Sequence, residues 1–400
     1  MNKAPIYRNF CGEWLPCGEY RVYLPQKMRR ITCIHDRNNW PVFSFDSNLL
    51  APILATVRHR QGRLLGQMAG LGFDQRNEAT LTTLTADVVK SSAIEGEKLD
   101  PKEVRSSIAS RLGLSAAGLP TPGRDVDGVV EMMLDATQRY NRPLSAKRLF
   151  GWHAALFPTG RSGIHRIKVG RYRTGAMRVV SGGLVGEEKV HFEAPAAERL
   201  TKEMKTFLTW FDAPSSHDPV LLAGIAHLWF VTIHPFDDGN GRIARAIADM
   251  ALARSDQSTN RFYSMSSQIE RERKEYYFQL ERQQRGDLDI TLWLEWFFGC
   301  LDRAIASATD LLSAVLHKAR LWERINQQPV NDRQRKIINR MLENFEGVLT
   351  TSKYAKLAKC SPDTALRDIL ELVERGILLR NVGGGRSTSY RLGDPDSIRL

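Results

Sequence analysis

The chain has 400 residues, enough for about two or three domains with substantial cores, and its 42% hydrophobic and 26% charged residues read as soluble and globular. No apolar run approaches the length of a membrane span and no early stretch carries a secretory apolar region with a cleavage site, which excludes a helical membrane protein and points to the cytoplasm. A formal net charge of +12 suits an acidic partner such as nucleic acid or ATP, and is equally the balance of an ordinary solvated surface. The cysteines Cys11, Cys17, Cys33, Cys300 and Cys360 are odd in number and scattered without metal or redox spacing, as expected of reduced thiols.

Residues 1–37 read as a leader, expected to be disordered. The first stretch lacks periodicity and carries Lys3, Arg8, Arg21, Lys27, Arg29 and Arg30, and Met28 stands just before what looks like the domain start. Asp46-Ser47 caps a helix running to about Met68 with Leu49, Leu50, Ile53, Leu54, Val57, Leu64 and Leu65 on or near one stripe. Gly70, Gly72 and Asp74 break it. The next helix is expected from near Glu78 and ends in Ser91-Ser92-Ala93-Ile94-Glu95-Gly96, with Gly96 as the stop. An acidic side chain in the last turn opposes the helix dipole, and such a local conflict marks a place to look for function. A short helix over 101–118 completes a domain at 38–118.

After the Gly/Pro-rich connection Gly118 to Gly123, helices are expected from Val126 to about Tyr140 and from Ser145 onward, the latter with His153 among apolar neighbours as a satisfied core histidine. Met177–Ser181 and Lys189–Phe192 flank a turn and form the one convincing β-hairpin before the C-terminal region. Asp218-Pro219 starts a buried amphipathic helix ending at Ile233, because Pro235 disfavours helix at His234. A second helix starts at about Gly239-Asn240.

The thirteen residues Ile233 to Arg245, Ile-His-Pro-Phe-Asp-Asp-Gly-Asn-Gly-Arg-Ile-Ala-Arg, concentrate the chemistry. Two glycines at a helix start let the backbone turn tightly and aim unpaired N–H groups outward, which suits phosphate. Arg242 and Arg245 lie three apart and can face one polyanion. Asp238 is an oxygen ligand suited to Mg²⁺ held jointly with phosphates, and His234 can take a proton near neutrality. Base, metal ligand, anion cradle and two cations in this order describe a phosphoryl or nucleotidyl transfer site.

This segment resembles the Fic family, whose signature His-x-Phe-x-Asp/Glu-Gly-Asn-Gly-Arg-x-x-Arg is matched at every specified position from His234 to Arg245. The resemblance implies AMP transfer from ATP, with Mg²⁺, to a hydroxyl side chain of a target protein or of the chain itself. By it His234 would deprotonate the hydroxyl, Asp238 would hold the metal, Gly239, Asn240 and Gly241 would cradle the phosphates, and Arg242 and Arg245 would neutralise them. Phe236 would anchor the loop. Relatives that transfer phosphate carry a bulky residue where Gly241 stands. Ser91, Glu95 and Gly96 match the family's inhibitory pattern Ser/Thr-x-x-x-Glu-Gly/Asn, which implies that Glu95 pairs with Arg245 and occupies the γ-phosphate space. Val179, Val180, Ser181 and Gly182 of the hairpin would border the nucleotide, Tyr276 would pack by the adenosine, and Gln284 stands where the family carries an Asn that contacts the base.

The helix expected after Ser267-Gln268-Ile269 carries Glu270, Arg271, Tyr276, Tyr277, Leu280 and Glu281, and a long helix from Ile290 to about Ile325 closes the catalytic domain at 119–326. Residues 327–400 follow a winged-helix pattern: helix 332–345, a helix near Thr351–Ala358, a helix from Ser361 to Arg375, and strands Ile377–Arg380 and Ser389–Leu392. From Lys318 onward sixteen Lys/Arg stand against ten Asp/Glu, so DNA is a candidate partner through Thr364, Arg367 and Arg386. The expected fold is therefore mostly α: a Fic-type helical bundle with a β-hairpin flap, an N-terminal helical domain with the inhibitory helix, and a C-terminal winged helix. Relatives often pair, which extends to a homodimer here. Two other readings use the same residues: removal of AMP with Glu95 positioning water, and a DNA-binding regulator whose Fic core senses nucleotide.

Overall fold

The computed structural model describes residues 32–181, 189–342, 345, 347–381 and 388–394, with the backbone alone over 311–319. It divides into two compact units, residues 1–308 and 309–400. Among the described residues no helix is long and apolar enough to cross a membrane.

In the first unit a short 3-10 turn, Ile34–Asp36, precedes α1 (Ser47–Ala69), whose N-cap Asp46 accepts the N–H groups of Asn48 and Leu49. Helix α2 (Phe73–Ile94) begins earlier than expected. Asp74 lies in its first turn, where an acidic group favours the dipole, instead of breaking the chain. Helix α3 (Pro101–Arg111) starts on Asp100 with a proline in its first turn, and is shorter than the expected 101–118 because the chain turns at Gly113, φ +71. Helices α4 (Arg124–Gln138) and α5 (Ala146–Leu156) follow.

Two short strands, β1 (Arg161–Ser162) and β2 (His165–Arg166), form a hairpin that the sequence reading did not include, since two-residue strands leave no periodicity. Strands β3 (Arg178–Ser181) and β4 (Lys189–Glu193) pair antiparallel as expected. Helix α6 (Leu200–Asp212) was also not anticipated, although Leu200, Met204, Phe207 and Phe211 form its buried stripe. Helix α7 (Pro219–Ile233) is buried on all sides and not amphipathic, with even its polar His227 and Thr232 at 1% and 0% exposure. Helix α8 (Asn240–Asp256) packs beside it and is buried from Asn240 to Ala253 apart from Gly241. The helix expected after Ser267 is two, α9 (Met265–Arg271) and α10 (Arg273–Gln284), and α11 spans Thr291–Gln327.

The second unit holds α12 (Asp332–Leu342), β5 (Leu349–Thr350), α13 (Thr351–Ala358), α14 (Pro362–Glu374), β6 (Leu378–Arg380) and β7 (Ser389–Leu392), with sheet order β5-β7-β6. Its own core includes Ile337, Ile338, Leu349, Tyr354, Ile369, Leu372 and Tyr390. Three helices and a small antiparallel sheet make this a winged helix, and the fold as a whole is mostly helical with small sheets.

Candidate active site

The site is built on the turn between α7 and α8. His234 ends α7 in the left-handed region, φ 52, a conformation that non-glycine residues adopt only when their surroundings hold it. Arg173 supplies that hold. Its Nε donates to the carbonyl of His234 at 2.8 Å, its other nitrogens reach the carbonyls of Gly175 and Pro195, and its backbone N–H donates to Pro235 at 2.9 Å. Sequence reading passed over Arg173, because all these partners are carbonyls and carry no sequence signal.

The imidazole of His234 donates from Nδ1 to the carbonyl of Val231 at 3.1 Å, so Nε2 keeps its lone pair, and the ring lines a cavity. Burial, working against the bond to Val231, pushes its pKa down to about 4. Neutral pH therefore finds His234 unprotonated and able to accept a proton.

Phe236 anchors the loop at 0% exposure. Asn240 clips it from both sides, its Oδ1 accepting the N–H of Phe236 at 2.9 Å and its Nδ2 donating to the carbonyl at 2.8 Å. The Asn240 side chain is thereby occupied by the loop itself. His153 stacks flat on Phe236, with centroids 4.3 Å apart and planes at 10°. Its Nδ1 accepts the N–H of Gly170 at 3.1 Å, and its Nε2 donates to the carbonyl of Asp238 at 3.2 Å. This is the satisfied core histidine expected, and its ring also supports the signature loop from beneath.

Asp238 lies against the cavity with Oδ1 accepting the N–H of Gly239 at 2.6 Å and Oδ2 bonded to the hydroxyl of Ser162 on β1. Gly239 takes φ +78 as the N-cap of α8, and a Cβ there would also meet the Phe157 ring at 2.9 Å. At Gly241 the limit is space: an added Cβ would lie 2.1 Å from Oε1 of Glu95.

Glu95 is brought there by α2, which stops at Glu95 because Gly96 takes φ +83. Arg245, 2% exposed, donates from Nη2 to Glu95 at 2.9 Å and to the carbonyl of Ser91 at 2.9 Å, and from Nε to the Ser91 hydroxyl at 2.9 Å. Burial works to lower the Arg245 pKa, but Glu95, Tyr276 and Tyr277 together outweigh it and hold the guanidinium above its ordinary value. A second pair that sequence reading missed joins Glu97 to Arg242, so the two acidic residues flanking Gly96 meet the two arginines of the signature. Glu97 carries no sequence signal of its own, since its partner lies 145 residues away along the chain. Even so, Nη1 of Arg245 and Nε and Nη2 of Arg242 are buried with no hydrogen-bond partner among the described residues. Buried guanidinium donors left over at a helix N-terminus have the chemistry of an anion site.

The cavity holds about 120 Å³ with Glu95 in place. One wall is α10, through Arg273, Tyr276, Tyr277, Leu280 and Gln284. Tyr276 bonds through its hydroxyl to Nε2 of His227 at 2.9 Å, and burial raises its pKa. Tyr277 donates to the carbonyl of Ile94 at 3.1 Å, which fastens the end of α2 to the same wall. Gln284 donates toward the hydroxyl of Thr232 at 3.4 Å. Of the hairpin residues, Val179 lines the cavity, Val180 is buried at 2% away from it, Ser181 is bonded to His191, and Gly182 lies outside the described residues. In the second unit Thr364 and Arg367 stand on α14 beside the exposed Leu366 and Leu370, and Arg386 lies outside the described residues.

The site is thus a left-handed histidine above a glycine-flanked helix N-terminus, with two arginines behind it, on a helical bundle. Comparison with known proteins matches three parts of the chain. The profile described as Fic/DOC family matches residues 143–252, a domain of unknown function (DUF4172) matches 33–114, and a DeoR-like helix-turn-helix domain matches 333–391. The chain carries a Fic-family domain over residues 143–252. It is similar to protein adenylyltransferase fic-1 of Caenorhabditis elegans, 28% identical over 207 residues that cover 50% of this chain and 37% of that protein. It is also similar to protein adenylyltransferase Fic of Nematostella vectensis, 30% identical over 143 residues that cover 35% of this chain and 29% of that one. The chain thus spans about a third of the length of these relatives. A crystal structure of a Fic family protein from Desulfovibrio desulfuricans G20 shares the fold with TM-score 0.50 and 21% identity, over 87% of this chain and 96% of that one.

Proposed function

We propose that the protein is an autoinhibited protein adenylyltransferase that moves AMP from ATP to a hydroxyl side chain. The observation that carries the reading is an unprotonated Nε2 on His234, which lines one cavity with Asn240 and Gly241 at the head of α8, while the same helix carries the leftover guanidinium donors of Arg242 and Arg245. His234 takes the proton of the incoming hydroxyl, whose oxygen attacks the α-phosphorus as pyrophosphate departs. Arg242, Arg245 and the first N–H groups of α8 balance the charge of the phosphates. The donor set suits Mg²⁺, since Asp238 offers a hard carboxylate and such ions are held by one or two carboxylates together with substrate phosphates. When bound it would supply charge neutralisation at the phosphates, and Asp238 would hold it.

Inhibition rests on Glu95. Its carboxylate lies where a Cβ on Gly241 would, against the head of α8, and the remaining space of about 120 Å³ falls below the roughly 300–1,000 Å³ of sites that take a whole cofactor. The test is incubation with labelled ATP. Label transfer to added proteins should be strongest in Glu95→Gly and absent when His234→Ala is added. Transfer that persists without His234 removes it as the base.

A second observation bears on the winged helix. The exposed face of α14 sets a single arginine, Arg367, beside Leu366, Leu370, Asp363 and Glu374, a poor match to phosphate. The DeoR-like helix-turn-helix match supports DNA as a partner all the same, with a salt dependence shallower than a basic recognition face would give. Absence of salt-dependent DNA binding by the full chain would count against it.

A further inference from the structure

Outside the signature, the hairpin holds three side chains in a line. Oγ of Ser181 on β3 is hydrogen-bonded to Nε2 of His191 on β4, and Nδ1 of His191 lies 2.6 Å from Oε2 of Glu281 on α10. A carboxylate accepts and does not donate, so Nδ1 carries the proton and Nε2 is the acceptor for the serine hydroxyl. Glu281 also pairs with Arg285 at 3.0 Å and Lys189 at 3.9 Å. Nucleophile, base and orienting acid in that order are recognised by geometry and not by sequence position.

The backbone explains how His191 comes to face Ser181. Val179 pairs with Phe192 and Val180 with Val190, which leaves His191 as the extra residue of a β-bulge. A bulge re-aims the side chain of its extra residue, and bulges concentrate beside active sites. On β3, Ser181 stands two residues beyond Val179, which lines the cavity together with Arg178, so its hydroxyl is set next to that wall and outside the lining itself. On α10, Glu281 follows Leu280, another lining residue. The line of three therefore joins the hairpin to the wall of the proposed nucleotide site. His191 is 9% exposed and Glu281 20%, while Ser181 stays partly open.

We propose that Ser181, His191 and Glu281 form a relay that makes the Ser181 hydroxyl a nucleophile toward phosphorus, and hence an AMP acceptor within the chain itself. The acceptor half rests on the adenylyltransferase reading; the activated hydroxyl does not. In the step, Ser181 Oγ bonds to the α-phosphorus of ATP, the bond from that phosphorus to the bridging oxygen breaks, and pyrophosphate leaves. The serine proton passes to Nε2 of His191, with the imidazolium held by Glu281, and is then lost to water.

Two measurements on the full-length protein decide it. A fluorophosphonate probe, from which an activated serine displaces fluoride, should modify Ser181 in the wild-type chain. His191→Gln should slow that labelling at least tenfold and Glu281→Gln by a smaller factor, with circular dichroism and melting used to confirm that the variants fold. A hydrogen-bonded latch with no chemical role predicts no labelling of Ser181, and labelling equally fast in His191→Gln also overturns the relay. In the second arm, Glu95→Gly is incubated with ATP and the modified peptide identified by mass spectrometry. AMP on Ser181 supports the acceptor assignment, and AMP on other residues with Ser181 unmodified overturns it. Absence of nucleotide on any residue of this chain or of added proteins removes the adenylyltransferase reading and the acceptor assignment together, while the probe result still decides the relay.

Discussion

Replacing Glu95 by glycine should lower stability and at the same time create a response to ATP. Arg245 is 2% exposed and its charge partner lies 2.9 Å away. Removing one member of a buried pair costs roughly 3–5 kcal/mol, because the other charge is left uncompensated. Glu95 lines the cavity, so its removal leaves open space next to the surviving charge, and the lower end, about 3 kcal/mol, is expected. At roughly 2 °C per kcal/mol for a large domain, the midpoint should fall by about 6 °C. ATP brings negative charge to the same place. At a hundred times its dissociation constant it should return about 2.7 kcal/mol, close to the whole loss. Wild-type protein should gain much less, because there ATP must first displace the carboxylate. Glu95→Gln separates the two effects, since it drops the charge but keeps the bulk against Gly241 and should be destabilised without gaining the ATP response. Differential scanning fluorimetry across an ATP series reads all three proteins. Equal stabilisation of wild type and Glu95→Gly by ATP, or an unchanged midpoint in the variant, would refute the reasoning.

Other outcomes follow from the same geometry. Gly241→Ala should expel the Glu95 side chain, whose Oε1 lies 2.1 Å from the new Cβ position, and so destabilise wild type by 1 kcal/mol or more, roughly the scale of one buried contact; in a double-mutant cycle that loss should shrink in the Glu95→Gly background, and simple additivity would count against it. His153→Phe keeps the stack on Phe236 but leaves the Gly170 N–H and the Asp238 carbonyl without partners, at about 1–3 kcal/mol each, which urea unfolding would read. Because burial lowers the His234 pKa from 6.5 to about 4, the neutral base persists well below pH 6.5; activity of Glu95→Gly should stay level through that value and fall only near pH 4, and a half-loss at pH 6.5 would contradict it. Tyr277→Phe removes the donor to the Ile94 carbonyl, should cost about 0.5–1.5 kcal/mol, and should raise basal label transfer by loosening the end of α2.

What the sequence by itself determined lies within a few residues of backbone. The helix break at His234-Pro235, the cap at Asp218, the glycines around Asn240 and the stop at Gly96 are consequences of local φ and ψ, and these could be read without a partner in view. The winged helix was legible for the same reason: its caps, strands and turns follow one another in short order. Helix α6 escaped although its stripe is plain, and β1 and β2 escaped because two-residue strands have no period to detect.

Only the tertiary structure decided which side chains meet. Arg242 finds Glu97 across 145 residues, Arg173 reaches the His234 carbonyl across 61, and His191 finds Glu281 across 90. Propensity and periodicity act over one or two turns of chain, whereas ion pairs and hydrogen bonds depend on distance in space. A residue such as Arg173, whose partners are all backbone carbonyls, therefore shows its purpose only once the chain has folded around it.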